Sequence, residues 1–463
     1  MKAATAVFPE VLLLVDDQYL AGSEHVTRRF HQPAKHPENP LLESGQTPWE
    51  AKLFLFGSVR FDPIVNRYRM WYLATRFEES GKDSMPATAL AESDDGIRWR
   101  RPGFDVLPAR IDGKRVKTNQ LFRSDRKERY IELGSVLIDP EAAKSKRYVM
   151  TYTRQSLLPD HDKNYGLAWS ADGVRWRRGG IITSPYHGDR HNMVRDPQTG
   201  EYLLYFRGER PFARRFRTYD PWHRTVCLKS SPNLKDWSET VEVMGADRKD
   251  PPNTNIYSMM VGFRGRTLVG VYQLHYQHAE EEIVTTHLAW SHDRVTCHRH
   301  RDEFIALGGP GEWDRFNQAV SDRPLIVGET MCFYYSGRTY RHGGYEPQRT
   351  RPDSGPSWSA IGLATLPLDR FASLEASFDG GELTTKPMRL PKGKQLYLNA
   401  EARWGKVEVE LTGKRGCQVI GGCAIENREG IKLPLDLHAV DEHEPVQLTV
   451  RLSNARIYAI YCE

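Results

Sequence analysis

Short runs of alternating apolar and polar residues, punctuated by Gly, Pro, Asp and Asn, recur along this chain and predict β-strands almost throughout. The runs are organised as repeats. One reads apolar-Ala-x-Ser-x-Asp-Gly-x-x-Trp, as in Leu90-Ala91-Glu92-Ser93-Asp94-Asp95-Gly96 with Trp99, and Leu167 to Gly173 with Trp176. Weaker copies are Ser231-Pro232-Asn233 with Trp237, and Leu288 to Asp293 with Cys297 in the tryptophan position. Ile361 to Thr365 starts a fifth copy and then diverges. A second repeat places an Asp-Pro turn between two strands, at Asp62-Pro63, Asp139-Pro140 and Asp196-Pro197. Matching hairpins follow at Tyr257 to Gly262 with Thr267 to Tyr272, and at Arg323 to Val327 with Thr330 to Ser336. Repeating units of this length, with four short strands each, predict a five-bladed β-propeller.

Near residue 370 both repeats stop. Alternating strands at Lys394 to Asn399, Gly405 to Leu411, Gln418 to Ala424 and Val446 to Tyr461 then predict a compact antiparallel sandwich. The expected organisation is an all-β chain with a propeller over 1–369 and a β-sandwich over 370–463. Residues 1–48 are expected to pack on the propeller. No catalytic constellation is visible in the sandwich.

Composition narrows the function classes. Of 463 residues, 39% are hydrophobic and 27% charged, which supports a packed core. The formal charge is +5 and no sustained basic stripe appears, which argues against nucleic acid as a partner. No apolar run is long enough to span a membrane, and the N-terminus lacks a signal-peptide pattern. A cytoplasmic protein, or a secreted one already processed, is expected. The six cysteines have no zinc-ligand spacing; they read as buried thiols, with a Cys417–Cys423 pair as the alternative. No metal or other cofactor is expected, and the oligomeric state is left open.

Asn39-Pro40 followed by Trp49-Glu50, the Asp-Pro hairpins and the Ser-Asp-Gly-Trp turns together resemble the five-bladed propeller glycoside hydrolases of families 32, 43, 68 and 130. The resemblance implies a glycosidase, with two carboxyl groups flanking the scissile bond. The Asn-Asp-Pro-Asn nucleophile motif and the Glu-Cys acid motif of family 32 are both missing. Asp196 matches the family's Arg-Asp-Pro triplet in letters, but shares its repeat position with Asp62 and Asp139, and Glu329 also falls at a hairpin turn. Both therefore read as turn residues.

In a propeller, inner strands begin and second strands end on one rim of the central funnel. Catalytic acids are sought there. Asp189, in His187-Gly188-Asp189-Arg190-His191-Asn192, is the leading candidate for base or nucleophile, with a loop-capping Asp as the alternative. Asp17 is the second candidate for that role. Glu50 beside Trp49 and Asp314 beside Trp313 are candidate proton donors, since burial against an aromatic ring raises a carboxyl pKa. Glu132, Asp250 and Glu312 satisfy the same position rule. Arg76, Arg154, Arg207 and Arg338 end four second strands, and His275 with His278 takes the matching place in the remaining one. With Asn192, His191, Trp313 and His342 they form the expected substrate-binding set. A rim this basic suits an anionic or strongly polar sugar. The rival expectations are a non-catalytic sugar-binding propeller, a protein-interaction propeller and a sialidase.

Overall fold

Serine and aspartate side chains build the turns that the repeats announce. Ser93 Oγ accepts the Asp95 and Gly96 amides at 3.2 and 2.9 Å, and Asp95 Oδ1 accepts those of Ile97 and Arg98 at 2.8 and 2.7 Å. Ser170 and Asp172 repeat this set of bonds. The residue after the Asp or Asn is left-handed, with φ +77° at Gly96 and +73° at Gly173; Leu234 and Arg294 take that place in the weaker copies at 64° and 73°.

The computed structural model describes residues 6–75, 86–125, 128–156, 163–184, 188–211, 222–276, 282–342, 358–413, 419–435 and 445–463. Among them, strands dominate, and the one helical element is the 3-10 turn Lys144–Lys146. The all-β expectation holds. Four antiparallel four-stranded sheets follow in chain order. The first runs from Lys52–Asp62 through Arg67–Thr75 and Ala87–Ser93 to Gln120–Arg123. The second starts at Glu128–Ile138, the third at His191–Arg195 and the fourth at Thr254–Arg264. A fifth sheet has Ala319–Val320 and Leu325–Val327 on one side of Thr330–Arg338, then Ser359–Pro367. Its outermost place is filled by early chain, Ala34–Lys35 and Leu42–Glu43.

Side chains on the first strands tie neighbouring sheets together. The Val136 amide donates to Ser58 Oγ, the Met193 amide to Ser135 Oγ, and the Val261 amide to Asn192 Oδ1. Asn192 Nδ2 also reaches the Val261 and Asp322 carbonyls at 3.2 and 3.0 Å. Asp322 closes the circuit: its amide bonds the Gly57 carbonyl, and its carboxylate accepts from Ser58 Oγ and pairs with Arg60. Buried amides of one strand are thus satisfied by side chains of the strand before it.

Two further six-stranded sheets enclose one apolar cluster that includes Leu383, Leu398, Val409, Val450 and Ile457. The alternating stretch near the C-terminus forms two strands, Pro445–Ser453 and Ala455–Cys462, which break at Asn454 with φ 44°. The N-terminal segment divides. Val11–Leu13, Leu20–Glu24 and Thr27–Phe30 pair with Ala455–Cys462, Gly381–Thr385 and Ala372–Ala376, so residues 11–30 belong to these later sheets. Residues 34–43 pair with the fifth sheet, while Phe30 stacks on Trp290 and Gln32 donates to the Glu303 carbonyl of the fourth, so much of 1–48 also packs on these sheets. Val11, Leu13 and Tyr461 pack with Trp290, Phe304 and Phe333 of the fourth and fifth sheets.

Candidate active site

Each of four sheets has an acid at or before its first strand, and all four acids are buried. Glu50 accepts from Tyr72 Oη at 2.6 Å and pairs with Arg101 at 2.5 Å. Asp314 accepts from Tyr335 Oη at 2.8 Å and pairs with Lys35 at 2.7 Å. Glu128 pairs with Arg178 at 2.9 Å beside Tyr152, and Asp250 with Arg299 at 3.0 Å beside Tyr272. Each of these tyrosines lies on the second strand, and each cation comes from the outer side of the sheet. An acid, a tyrosine and a cation therefore recur as one structural set that anchors the loop leading into each sheet. Burial raises the pKa of Glu50, with Arg101 and Tyr72 opposing it.

The third sheet departs from this pattern. Its acid, Asp189, keeps 18% of its side chain exposed and pairs at 2.7 Å with Arg207, which lies near the end of the sheet's second strand. His191 fixes the loop: its Nδ1 lies 3.3 Å from the Asp189 carbonyl and 3.2 Å from Thr153 Oγ1. Burial brings the His191 pKa down to about 4, so the ring is neutral. Gly134 leaves room for it, since a Cβ there would overlap the imidazole.

Around this pair the structure gathers a cluster. Arg207 Nη2 is 3.6 Å from Glu209, two residues on along the same face of the strand. The guanidinium groups of Arg207 and Arg224 each lie 5.1 Å from the centre of the Tyr257 ring. Tyr257 Oη is 3.1 Å from His342 Nε2, and the His342 and His275 rings are 4.4 Å apart. Arg224 donates to His275 Nδ1 at 3.0 Å, which places the His275 proton on Nε2. That Nε2, like Asn255 Nδ2, is buried with no acceptor among the described residues. Glu132 and Arg190 complete the cluster, as the field of Glu132 acts on Arg190, Arg207 and Tyr257.

Electrostatics follow from burial and mutual contact. Burial, then Arg224 and Arg207, lower the His275 pKa to about 3; burial, then His275 and Arg338, hold His342 well below its ordinary value. Both rings are neutral near pH 7. Burial opposes the charge on Arg207, but Asp189 and Tyr257 outweigh it and raise its pKa. Burial lowers Arg190 to about 10, and burial with Asp189 raises Tyr257. The result is a cluster with fixed cations, neutral imidazole donors and carboxylates side by side. Groups of these kinds can bind hydroxyl and carboxylate oxygens and exchange a proton with them.

No family profile and no curated protein matches the sequence. In structure the chain is similar to glycoside hydrolases and phosphorylases. A glycosyl hydrolase from Bacteroides ovatus is 14% identical over 73% of this chain and 94% of its own, with a TM-score of 0.49. The β-1,2-mannobiose phosphorylase of Listeria innocua is 12% identical over 73% and 97%, with a TM-score of 0.48. An N-acetylgalactosamine deacetylase from F. plautii is 14% identical over 75% and 96%, with a TM-score of 0.45.

The cluster brings together Asp189, His191, Arg207, His275 and His342, with Arg338 close enough to act on His342. Other expected residues lie elsewhere. Glu50 and Asp314 are held in acid–tyrosine–cation sets, and the Trp313 ring stacks on Tyr335 at 5.3 Å, where Gly337 and Gly362 leave space for it. Asn192 is spent on joining sheets. Asp17, 68% exposed, pairs with Arg28 in the segment that joins the later sheets. Arg154 pairs with Glu128. Arg76, with His187 and His278, lies outside the described residues. Glu209, Arg224, Tyr257 and Asn255 were not singled out from sequence as site residues. For Glu209 the signal was its i+2 spacing from Arg207.

Proposed function

We propose that the five sheets are blades of a β-propeller backed by a β-sandwich, and that the cluster around Asp189 hydrolyses a glycosidic bond in an acidic oligosaccharide. One observation carries this reading. Among the five acids that lead into the sheets, Asp189 is the one left out of an acid–tyrosine–cation set and partly open to solvent. Arg207 pairs with it at 2.7 Å, a partner suited to the carboxylate that a base or nucleophile requires. Glu132 or Glu209 then supplies the proton to the leaving oxygen. His275 Nε2–H and Asn255 Nδ2 donate to substrate oxygens, and Arg207, Arg224 and Arg338 favour a substrate with carboxylate or sulfate groups. A tyrosine nucleophile, as in sialidases, is disfavoured because the raised pKa of Tyr257 keeps its hydroxyl protonated.

The test is turnover of matched neutral, uronic and sulfated oligosaccharides by the full chain and by Asp189→Asn, Glu132→Gln and Glu209→Gln. Acidic substrates should be cleaved, and Asp189→Asn should lower kcat by about 10²–10⁴-fold. One of the two glutamate variants should lose activity comparably and thereby identify the acid. Binding of acidic oligosaccharides with no bond cleavage would assign a sugar-binding protein instead.

A further inference from the structure

At the opposite end of the strands from Asp189, where the Asp139-Pro140 and Asp196-Pro197 turns lie, a cavity of about 830 Å³ opens between the second and third sheets. Its wall is apolar and aromatic, with Leu137, Val149, Ile181, Trp169 and Tyr202. The Trp169 indole lies flat against Gly179, where any Cβ would overlap the ring, so the platform is built into the sheet. Lys146, Arg177, Arg195, Lys235 and Arg323 also line the cavity, against a single acid, Asp139. None of these five cations forms an ion pair among the described residues, although arginines elsewhere in the chain are widely paired.

Arg323 has the most unusual position. Oδ2 of the adjacent Asp322 is bonded by Arg60 and Ser58, so that Arg323 shares this carboxylate's field with a second arginine. The Arg323 guanidinium makes no hydrogen bond to the described residues, and Arg60, followed by burial, brings its pKa down to about 10. A half-buried cation crowded by Arg60, only partly offset by Asp322 and without an ion pair of its own among the described residues favours an anion that a ligand would supply.

We infer that this cavity is a second, non-catalytic site for an acidic saccharide, with its carboxylate or sulfate on Arg323 and a sugar ring on Trp169. The anion follows from the unpaired cations; the saccharide class rests on the function proposed above. The apolar face of a pyranose matches a fixed indole, and the volume suits a short oligosaccharide.

The experiment is calorimetric titration of the full-length chain carrying Arg207→Gln, which weakens binding at the first site. The titrants are sulfated and uronic oligosaccharides, their neutral counterparts, inorganic sulfate and ATP. Acidic oligosaccharides should bind saturably and in preference to the other three. Adding Arg323→Gln should weaken that binding by about tenfold, and adding Lys235→Gln, an exposed change that spares folding, by about threefold. Unchanged affinity in both variants would overturn the inference, as would equal binding of sulfate or ATP. Turnover lost in Asp189→Asn with binding indifferent to Arg323 and Lys235 would leave the proposed function standing without a second site. Arg323-dependent binding by a chain that cleaves nothing would do the reverse.

Discussion

Arg207 Nη1 lies 2.7 Å from Asp189 Oδ1, and both side chains belong to one sheet: the acid precedes its first strand and the cation lies near the end of its second. The other sheets pair their leading acid with a cation from the outer side and a tyrosine from the second strand. In the third sheet the cation comes from the second strand instead, and it lies over the Tyr257 ring as well as beside the acid. On the proposed function, this change of partner is what turns an anchoring position into a chemical one.

Replacing the Arg207 fork separates charge from geometry. Arg207→Lys keeps a positive charge but loses the forked donor set and the planar group beside Tyr257. Activity on acidic oligosaccharides should fall by about tenfold or more, mainly through KM, while neutral analogues change less. Steady-state kinetics on a matched substrate pair reads this. Equal losses on both substrates would remove the arginines from substrate recognition.

Glu50 and Tyr72 should matter for stability alone. Tyr72→Phe strips one hydrogen bond from Glu50 and another from Asn119 Nδ2, which donates to the phenol oxygen at 2.7 Å. Leaving buried polar atoms unpaired should cost about 1–3 kcal/mol in denaturant unfolding. Activity per folded molecule should stay at the parent level. A kcat loss comparable to that of Asp189→Asn would return Glu50 to the catalytic candidates.

The turns and sheets were legible because their chemistry is local. Ser93, Asp95 and Gly96 bond amides within a few residues, so the motif itself carries the geometry. The partners that decide each acid's role are distant. Arg101 lies 51 residues from Glu50 in sequence, and Lys35 reaches Asp314 from an edge strand of two residues, too short to show a period. Glu50 and Asp314 therefore looked like acids beside aromatic platforms until their cations were in view. The contacts of Asn192 were hidden for a related reason: its amide serves carbonyls and an amide of two other sheets, which no spacing records.

Gly134 tests how tightly the Asp189 loop is held. Its missing side chain is the space that the His191 imidazole fills, and His191 in turn contacts the Asp189 carbonyl. Gly134→Ala must displace the ring or the strand, at a cost of about 1–3 kcal/mol. Because the displaced residue supports Asp189, kcat should fall too, whereas Gly309→Ala, with open space around it, should change neither. Parallel unfolding and kinetic measurements on the two variants check this.

Acid should destabilise this fold through its buried histidines. His191, His275 and His287 have pKa values lowered by burial to about 4, 3 and 4, against an ordinary value near 6.5. Below pH 6.5 the unfolded chain binds protons that the folded chain refuses, so stability falls as pH drops and continues to fall until the folded rings protonate near pH 4 to 3. Between pH 7 and 5, each such histidine should cost about 2 kcal/mol. Urea midpoints measured across that range should decline, and His191→Gln should flatten the decline even if it lowers stability at pH 7. A slope identical to the parent's would mean that His191 is charged in the folded protein, and would undo the neutral-imidazole support assigned to the Asp189 loop.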